Sequence, residues 1–239
     1  MQKILLILLS FIAQSLFAFE DFTHESEAAV NGSQGNSPYD AYNFFTRNKF
    51  KIDTQHEATI GGHYALSTIN DEQFEIARNW DINGKYLVAI SKKTYGFIGA
   101  AVEGDEFAGY SERNNVDLGA EYKFINTDKY KMIFQYGLRQ TVEVPIDGSG
   151  ADKDQKARFY SRIDDVINAN SDYAFWLEYI PNFSTPKDYM INFEPSYRIS
   201  LSKIFSLKLS YRGVYDNEPA IASRRYFDSF YRTSLLAKF

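Results

Sequence analysis

Hydrophobic and polar positions alternate along almost the whole chain. In FSLKLSYRGVY, Phe205, Leu207, Leu209, Tyr211 and Tyr215 share one parity, while Ser206, Lys208, Ser210 and Arg212 share the other. YMINFEPSYRISL sets Tyr189, Ile191, Phe193, Tyr197, Ile199 and Leu201 against Asn192, Glu194, Ser196 and Arg198. YKMIFQYGLRQTV and VDLGAEYKF repeat the pattern around Phe134 and Leu118. A period of two is the mark of a strand with one apolar face. These segments run to about 9–14 residues, the length of a tilted bilayer crossing, whereas globular strands average about 5–6.

The alternation predicts twelve strands, over 22–31, 39–51, 54–67, 72–90, 95–104, 112–125, 129–144, 157–169, 172–181, 188–201, 205–216 and 227–239. Pro195 interrupts one of them, because proline removes a ladder donor. YGFIGAAV, in the fifth, shows no clear polar face. Connections alternate in length. The even ones are short, such as SKKT, NTDK and NANS, whereas several odd ones are longer: EGDEFAGYSE, Pro145 to Asp154, NFSTPKD and DNEPAIASRR. Short turns at one end and longer loops at the other are what outer-membrane barrels show. The expected fold is therefore all-β, a transmembrane antiparallel up-and-down barrel of about twelve strands.

Closure explains the last ten residues, FYRTSLLAKF. Tyr231, Thr233, Leu235, Ala237 and Phe239 form an apolar row that runs to the final residue. The last strand is expected to pair with the first, since an open edge in hydrocarbon leaves backbone groups unsatisfied. The same five residues match the pattern by which barrel-assembly machinery recognises its clients. At the other end, MQKILLILLSFIAQSLFA has one cation and an uncharged apolar run closed by Ala18. It reads as a signal peptide over 1–18, leaving 19–239 as a single barrel domain.

Composition agrees. Eighteen Tyr and twenty Phe sit in a chain of negative mean hydropathy, as girdled barrel strands require. No cysteine is present, which excludes a lipoprotein anchor and a disulfide framework. The formal charge of −5 argues against a nucleic-acid partner. The expected partners are outer-membrane lipids, the assembly machinery, and small solutes or ions, with no cofactor.

Three stretches carry a family resemblance. They are HESEAAVNGSQGNS from His24, GDEFAGYSERNNVDLGAEYKFINTDKYKMIFQYGLR from Gly104, and LKLSYRGVYDNEPA followed by FDSFYRTSLLAKF. In this order they resemble the YdiY-like salt-induced outer-membrane proteins, also called domain of unknown function 481. Glu121 stands where the central block usually has glycine, and Glu106 follows Asp105 ahead of Phe107. The resemblance implies an outer-membrane location and a link to salt, but no biochemical activity.

Candidate chemistry lies in the lumen. The face opposite the aromatic rows collects the acids Glu25, Glu27, Glu57, Glu75, Asp81, Asp117, Glu121, Asp164, Glu178 and Glu194. It also collects the bases Arg47, Lys49, Lys123, Lys131, Arg139, Arg158, Arg162, Arg198, Lys208, Arg212, Arg232 and Lys238. Balanced signs suit either a small-solute channel or charges that pair across the lumen and plug it. An adhesion module working through the outer loops is the alternative class. Outer-membrane phospholipases are also twelve-stranded, and they need serine and histidine within hydrogen-bond reach. His63 and Ser67 share a face at about 13 Å, which is too far. His24 falls near a rim and His56 beside a turn, and no phospholipase-type motif is apparent. DGSGADKD from Asp147 is rich in oxygen ligands but fails calcium-loop spacing. Arg224 and Arg225 form a basic pair in the last outer loop.

Overall fold

The computed structural model describes residues 22–33, 39–69, 74–219 and 226–239. The signal segment and the Arg224–Arg225 pair lie outside them. Twelve strands form among the described residues: β1 (Phe22–Ser33), β2 (Tyr39–Lys51), β3 (His56–Ile69) and β4 (Phe74–Ala89). They continue with β5 (Thr94–Asp105), β6 (Tyr110–Asn126), β7 (Tyr130–Pro145) and β8 (Asp152–Asn168). The last four are β9 (Ser171–Pro181), β10 (Tyr189–Ser200), β11 (Phe205–Asp216) and β12 (Phe227–Lys238). Each pairs antiparallel with its sequence neighbours, and β12 returns to β1, so the sheet is a closed barrel.

Phe22 and Phe239 lie at the same rim as the turns 52–55, 90–93, 127–129, 169–170 and 201–204; this is the proximal rim. Its turns are held by their own side chains. The Asp53 carboxylate accepts the amides of Gln55 (2.7 Å) and His56 (2.8 Å). Those bonds, Gln55 first, draw its pKa below the usual value. At the distal rim the connections are tighter than the sequence suggests. EGDEFAGYSE contracts to a turn over 106–109, because Asp105 Oδ1 accepts the Ala108 amide and Gly109 takes φ 106°. Likewise β8 begins at Asp152, five residues ahead of the expected start.

The outward parity carries the large apolar side chains, with Leu118 63% and Ile82 62% exposed. The buried apolar groups, Leu87, Phe97, Ala174 and Leu236, lie on the inward parity. Besides small register shifts between β3 and β4, β5 and β6, β6 and β7, and β8 and β9, two places depart from a full ladder. At Pro195, which has no N–H, the β10–β11 register passes from Phe193↔Gly213 to Ser196↔Ser210. The closing seam has four register pairs, from Glu25↔Lys238 to Ala28↔Leu235. It is extended by reciprocal backbone bonds between His24 and Phe239 at 3.0 and 2.9 Å. The first and last strands do join, over the proximal half of their length.

Candidate functional site

Inward residues on every second position meet across a lumen whose wall is one sheet, so charges from distant sequence become neighbours. The largest cluster spans β6 to β10 and reaches across to Lys85 on β4. Arg139 clamps Asp117 through Nε (2.7 Å) and an Nη (2.8 Å). Arg158 donates to Glu178 at 2.6 Å and to Gln135 Oε1 at 2.8 Å. Gln135 is 1% exposed and passes the chain to Glu121 at 2.6 Å, with Lys85 Nζ at 3.6 Å on the same carboxylate. Asn192 closes the other side of Glu178 at 3.1 Å.

A second cluster bridges the closing seam. Lys208 Nζ lies 2.9 Å from Glu27 and 3.0 Å from Glu194, and Arg232 donates to Glu194 at 2.8 Å. Ser234 donates to Glu27 at 2.6 Å. Towards the distal rim, Arg113 binds Glu143 (2.6 Å) and Glu103 (3.4 Å) and lies over the Tyr110 ring at 3.7 Å. Near the proximal rim, Lys123 reaches Glu57 at 3.3 Å and covers Tyr95, and Arg198 pairs with Asp172 at 2.8 Å. Arg162 pairs with Asp164 on its own strand at 2.6 Å.

The candidate lumen charges therefore do not converge on one centre. Glu121, Arg139, Glu194, Lys208 and Arg232 belong to the middle clusters, and Lys123, Arg162 and Arg198 to the proximal ones. One expectation needs correction, and one candidate sits at the edge of the lumen. Lys131 shares the inward parity, opposite Asp164, but its side chain is exposed at the proximal rim. Glu75 is outside the lumen: a register shift after Ser67 turns it to pair with Arg78 at the distal rim (3.2 Å). Arg212 differs from the rest. It has no carboxylate partner among the described residues, lies 6.0 Å from the Trp176 ring, and its buried Nε makes no hydrogen bond.

A cavity of about 1650 Å³ opens at the distal rim and is lined down to His63, Arg139, Glu178, Arg212 and Arg232. Beneath it lies a packed layer that does not line the cavity, containing buried Glu27, Leu87, Phe97, Glu121, Gln135 and Ser234. The site is thus a vestibule standing on a floor of apolar groups and paired charges. His63 places Nδ1 3.7 Å from Asp81 and leaves Nε2 buried without a partner. His56 accepts or donates a 2.7 Å bond with the Tyr86 hydroxyl at the proximal rim. Among the described residues no group of His, Asp and Glu is arranged to hold a metal. In the DGSGADKD stretch, Asp147 instead accepts the Ser149 amide at 2.9 Å.

Sequence reasoning did not single out Lys85, Arg113, Glu103 and Glu143, and it put Gln135 and Asn192 on the polar face without giving them a part in the charge network. The parity that selected Asp117 also selects Arg113 and Asn115, so that signal was present.

The sequence profile of a family described as "Protein of unknown function, DUF481" matches residues 26–239. The chain belongs to the DUF481 family. No curated protein sequence matches this DUF481 chain. Solved structures resemble it in fold. The NanC porin superposes with a TM-score of 0.52 at 11% identity, over 90% of this chain and 97% of that one. The KdgM porin in complex with disordered oligogalacturonate gives 0.50 at 12%, over 91% and 99%. The translocator domain of the autotransporter NalP from Neisseria meningitidis gives 0.50 at 7%, over 100% and 95%. At these identities the likeness is one of fold: this DUF481 chain has the architecture of outer-membrane barrels.

Proposed function

We propose that this DUF481 barrel resides in the outer membrane, exported through residues 1–18, with the proximal rim in the periplasm. Its lumen is a passive, narrow conduit for small solutes or ions. One observation carries the reading: a wide outward vestibule ends on a layer of charges that neutralise one another across the lumen. Such a layer throttles flow without a separate plug, and Arg212, which has no carboxylate within salt-bridge distance among the described residues, sets a local positive charge at the floor of a vestibule whose lining is otherwise rich in acids. Tyr231, Thr233, Leu235, Ala237 and Phe239 serve as the assembly signal. The salt-responsive role implied by the family resemblance belongs to this proposal as well.

The test is single-channel recording from refolded protein in a planar bilayer across a salt series. Small, stable steps are expected, and in Arg212→Gln the reversal potential in a salt gradient should shift towards cation preference. A flat trace, from protein shown by heat-modifiable gel mobility to be folded, would overturn conduction. The packed floor would then favour the second reading, a closed barrel that binds partners through its distal loops.

A further inference from the structure

On the outer wall of the barrel, away from the lumen, one histidine sits between two polar partners. His24 Nε2 is 2.8 Å from Ser26 Oγ, and His24 Nδ1 is 2.8 Å from Asn48 Oδ1. The sequence places them there. His24 and Ser26 are two apart on β1 and so share a face, and the β1–β2 register sets Asn48 directly opposite His24. The amide oxygen of Asn48 can only accept. It therefore holds the proton on Nδ1 and leaves the Nε2 lone pair facing the serine hydroxyl. The imidazole is 4% exposed and flanked by the rings of Phe22 (6.4 Å) and Phe239 (6.0 Å).

We infer that Ser26, His24 and Asn48 are the nucleophile, base and orienting group of a serine esterase on the outer wall, acting on acyl esters of lipids in the adjoining leaflet. Nucleophile, base and orienter within hydrogen-bond reach are the general signature of such a centre. Ser26 Oγ adds to the ester carbonyl as its proton passes to His24 Nε2. The carbon–alkoxy bond then breaks, the leaving alkoxide takes that proton, and the acyl group remains on Ser26. Water from the nearby rim attacks the acyl-serine, giving its proton to Nε2. The free acid leaves and Ser26 Oγ recovers the proton.

The surroundings suit an ester. Thr46 lies directly opposite Ser26, and its hydroxyl is buried and makes no hydrogen bond, so it is placed to donate to the oxyanion. Ala28 and Ala237 beside Ser26, and Gly62 beside Thr46, leave the wall low at that point. His24 and Ser26 stand two and four residues above Phe22, roughly 5–9 Å at a tilted strand's rise. With Phe50 (5.1 Å from Phe22) and Phe239, that ring marks the aromatic girdle, the depth at which headgroup meets acyl chain. The lipid substrate rests on the outer-membrane reading above; the chemistry does not.

The test uses the refolded full chain in detergent micelles with hexadecanesulfonyl fluoride, read by intact mass and peptide mapping. One adduct on Ser26 is expected, absent in Ser26→Ala. Hydrolysis of a fluorogenic diacyl phospholipid in mixed micelles should be lost in both Ser26→Ala and His24→Gln. Thr46→Val should lower kcat by about a hundredfold with KM unchanged. Asn48→Ala should lower kcat at unchanged KM, and Asn48→Asp should restore it, because an acid also holds the Nδ1 proton. Folded wild-type protein that gains no adduct and hydrolyses no faster than Ser26→Ala would overturn the assignment. Labelling in micelles without fractionation to the outer membrane would instead sink only the location.

Discussion

Gly119→Val is expected to prevent the barrel from closing. A Cβ at Gly119 would meet the Tyr136 carbonyl oxygen, the Gly137 Cα at 2.7 Å and Phe97 Cε1 at 2.9 Å. The first two are backbone of the adjoining strand, which cannot swing away as a side chain could. Gly119 pairs with Gly137 on one side and with Phe97 on the other, and the Phe97 ring is buried in the floor of the vestibule. The floor is therefore built on a bare backbone surface over which an aromatic ring lies. Overpacking a core usually costs about 1–3 kcal/mol, and a backbone clash belongs at or above the top of that range. Heat-modifiable gel mobility and urea unfolding in detergent would show loss of the folded band. Gly84→Ala is the control: its added Cβ meets only the Thr59 carbonyl oxygen at 3.8 Å, an ordinary contact, so a change within about 0.5 kcal/mol is expected. Equal tolerance of both substitutions would show that the floor does not need the glycine pair.

The same region shows what the sequence could and could not convey. Alternation placed the strands to within a few residues because a sheet with one apolar face writes its period directly into the chain. β5 resisted this reading for a physical reason. Phe97 and Ala101 face inward and Ile98 and Val102 outward, so a strand that supplies an apolar floor has no polar face to display. Pairing was less legible than parity. Lys123 and Glu57 are 66 residues apart, and Lys208 and Glu27 are 181 apart. Their meeting depends on the stagger accumulated around the barrel, which no local pattern encodes. Glu75 was misplaced because one extra residue in β4 reverses the parity of everything beyond it. The outer-wall histidine was half legible. His24 and Ser26 share a face by period alone, but Asn48 becomes their neighbour only once the register of the first hairpin is known.

The second large effect concerns Glu178, and it joins the stability of the barrel to its proposed selectivity. Glu178 is the acid between Arg158 (2.6 Å) and Arg139 (3.8 Å), with Asp117 as their other counter-charge. Glu178→Leu would leave two buried guanidinium groups sharing one carboxylate and would strand the Asn192 amide. Removing one partner from a buried charge cluster typically costs about 3–5 kcal/mol, because the surviving charge stays desolvated without compensation. The midpoint of urea unfolding in detergent should fall accordingly. Glu178→Gln keeps the shape and a hydrogen-bond acceptor for Arg158, so the stability loss should be smaller while the charge change is the same. This separates the two roles. If the floor of the vestibule sets ion preference, Glu178→Gln should shift the reversal potential in the planar bilayer towards anions and Arg212→Gln towards cations. The two substitutions change the field at the vestibule floor in opposite directions. Identical reversal potentials for wild type and both variants would place the selective step elsewhere in the barrel, even if the stability ranking held.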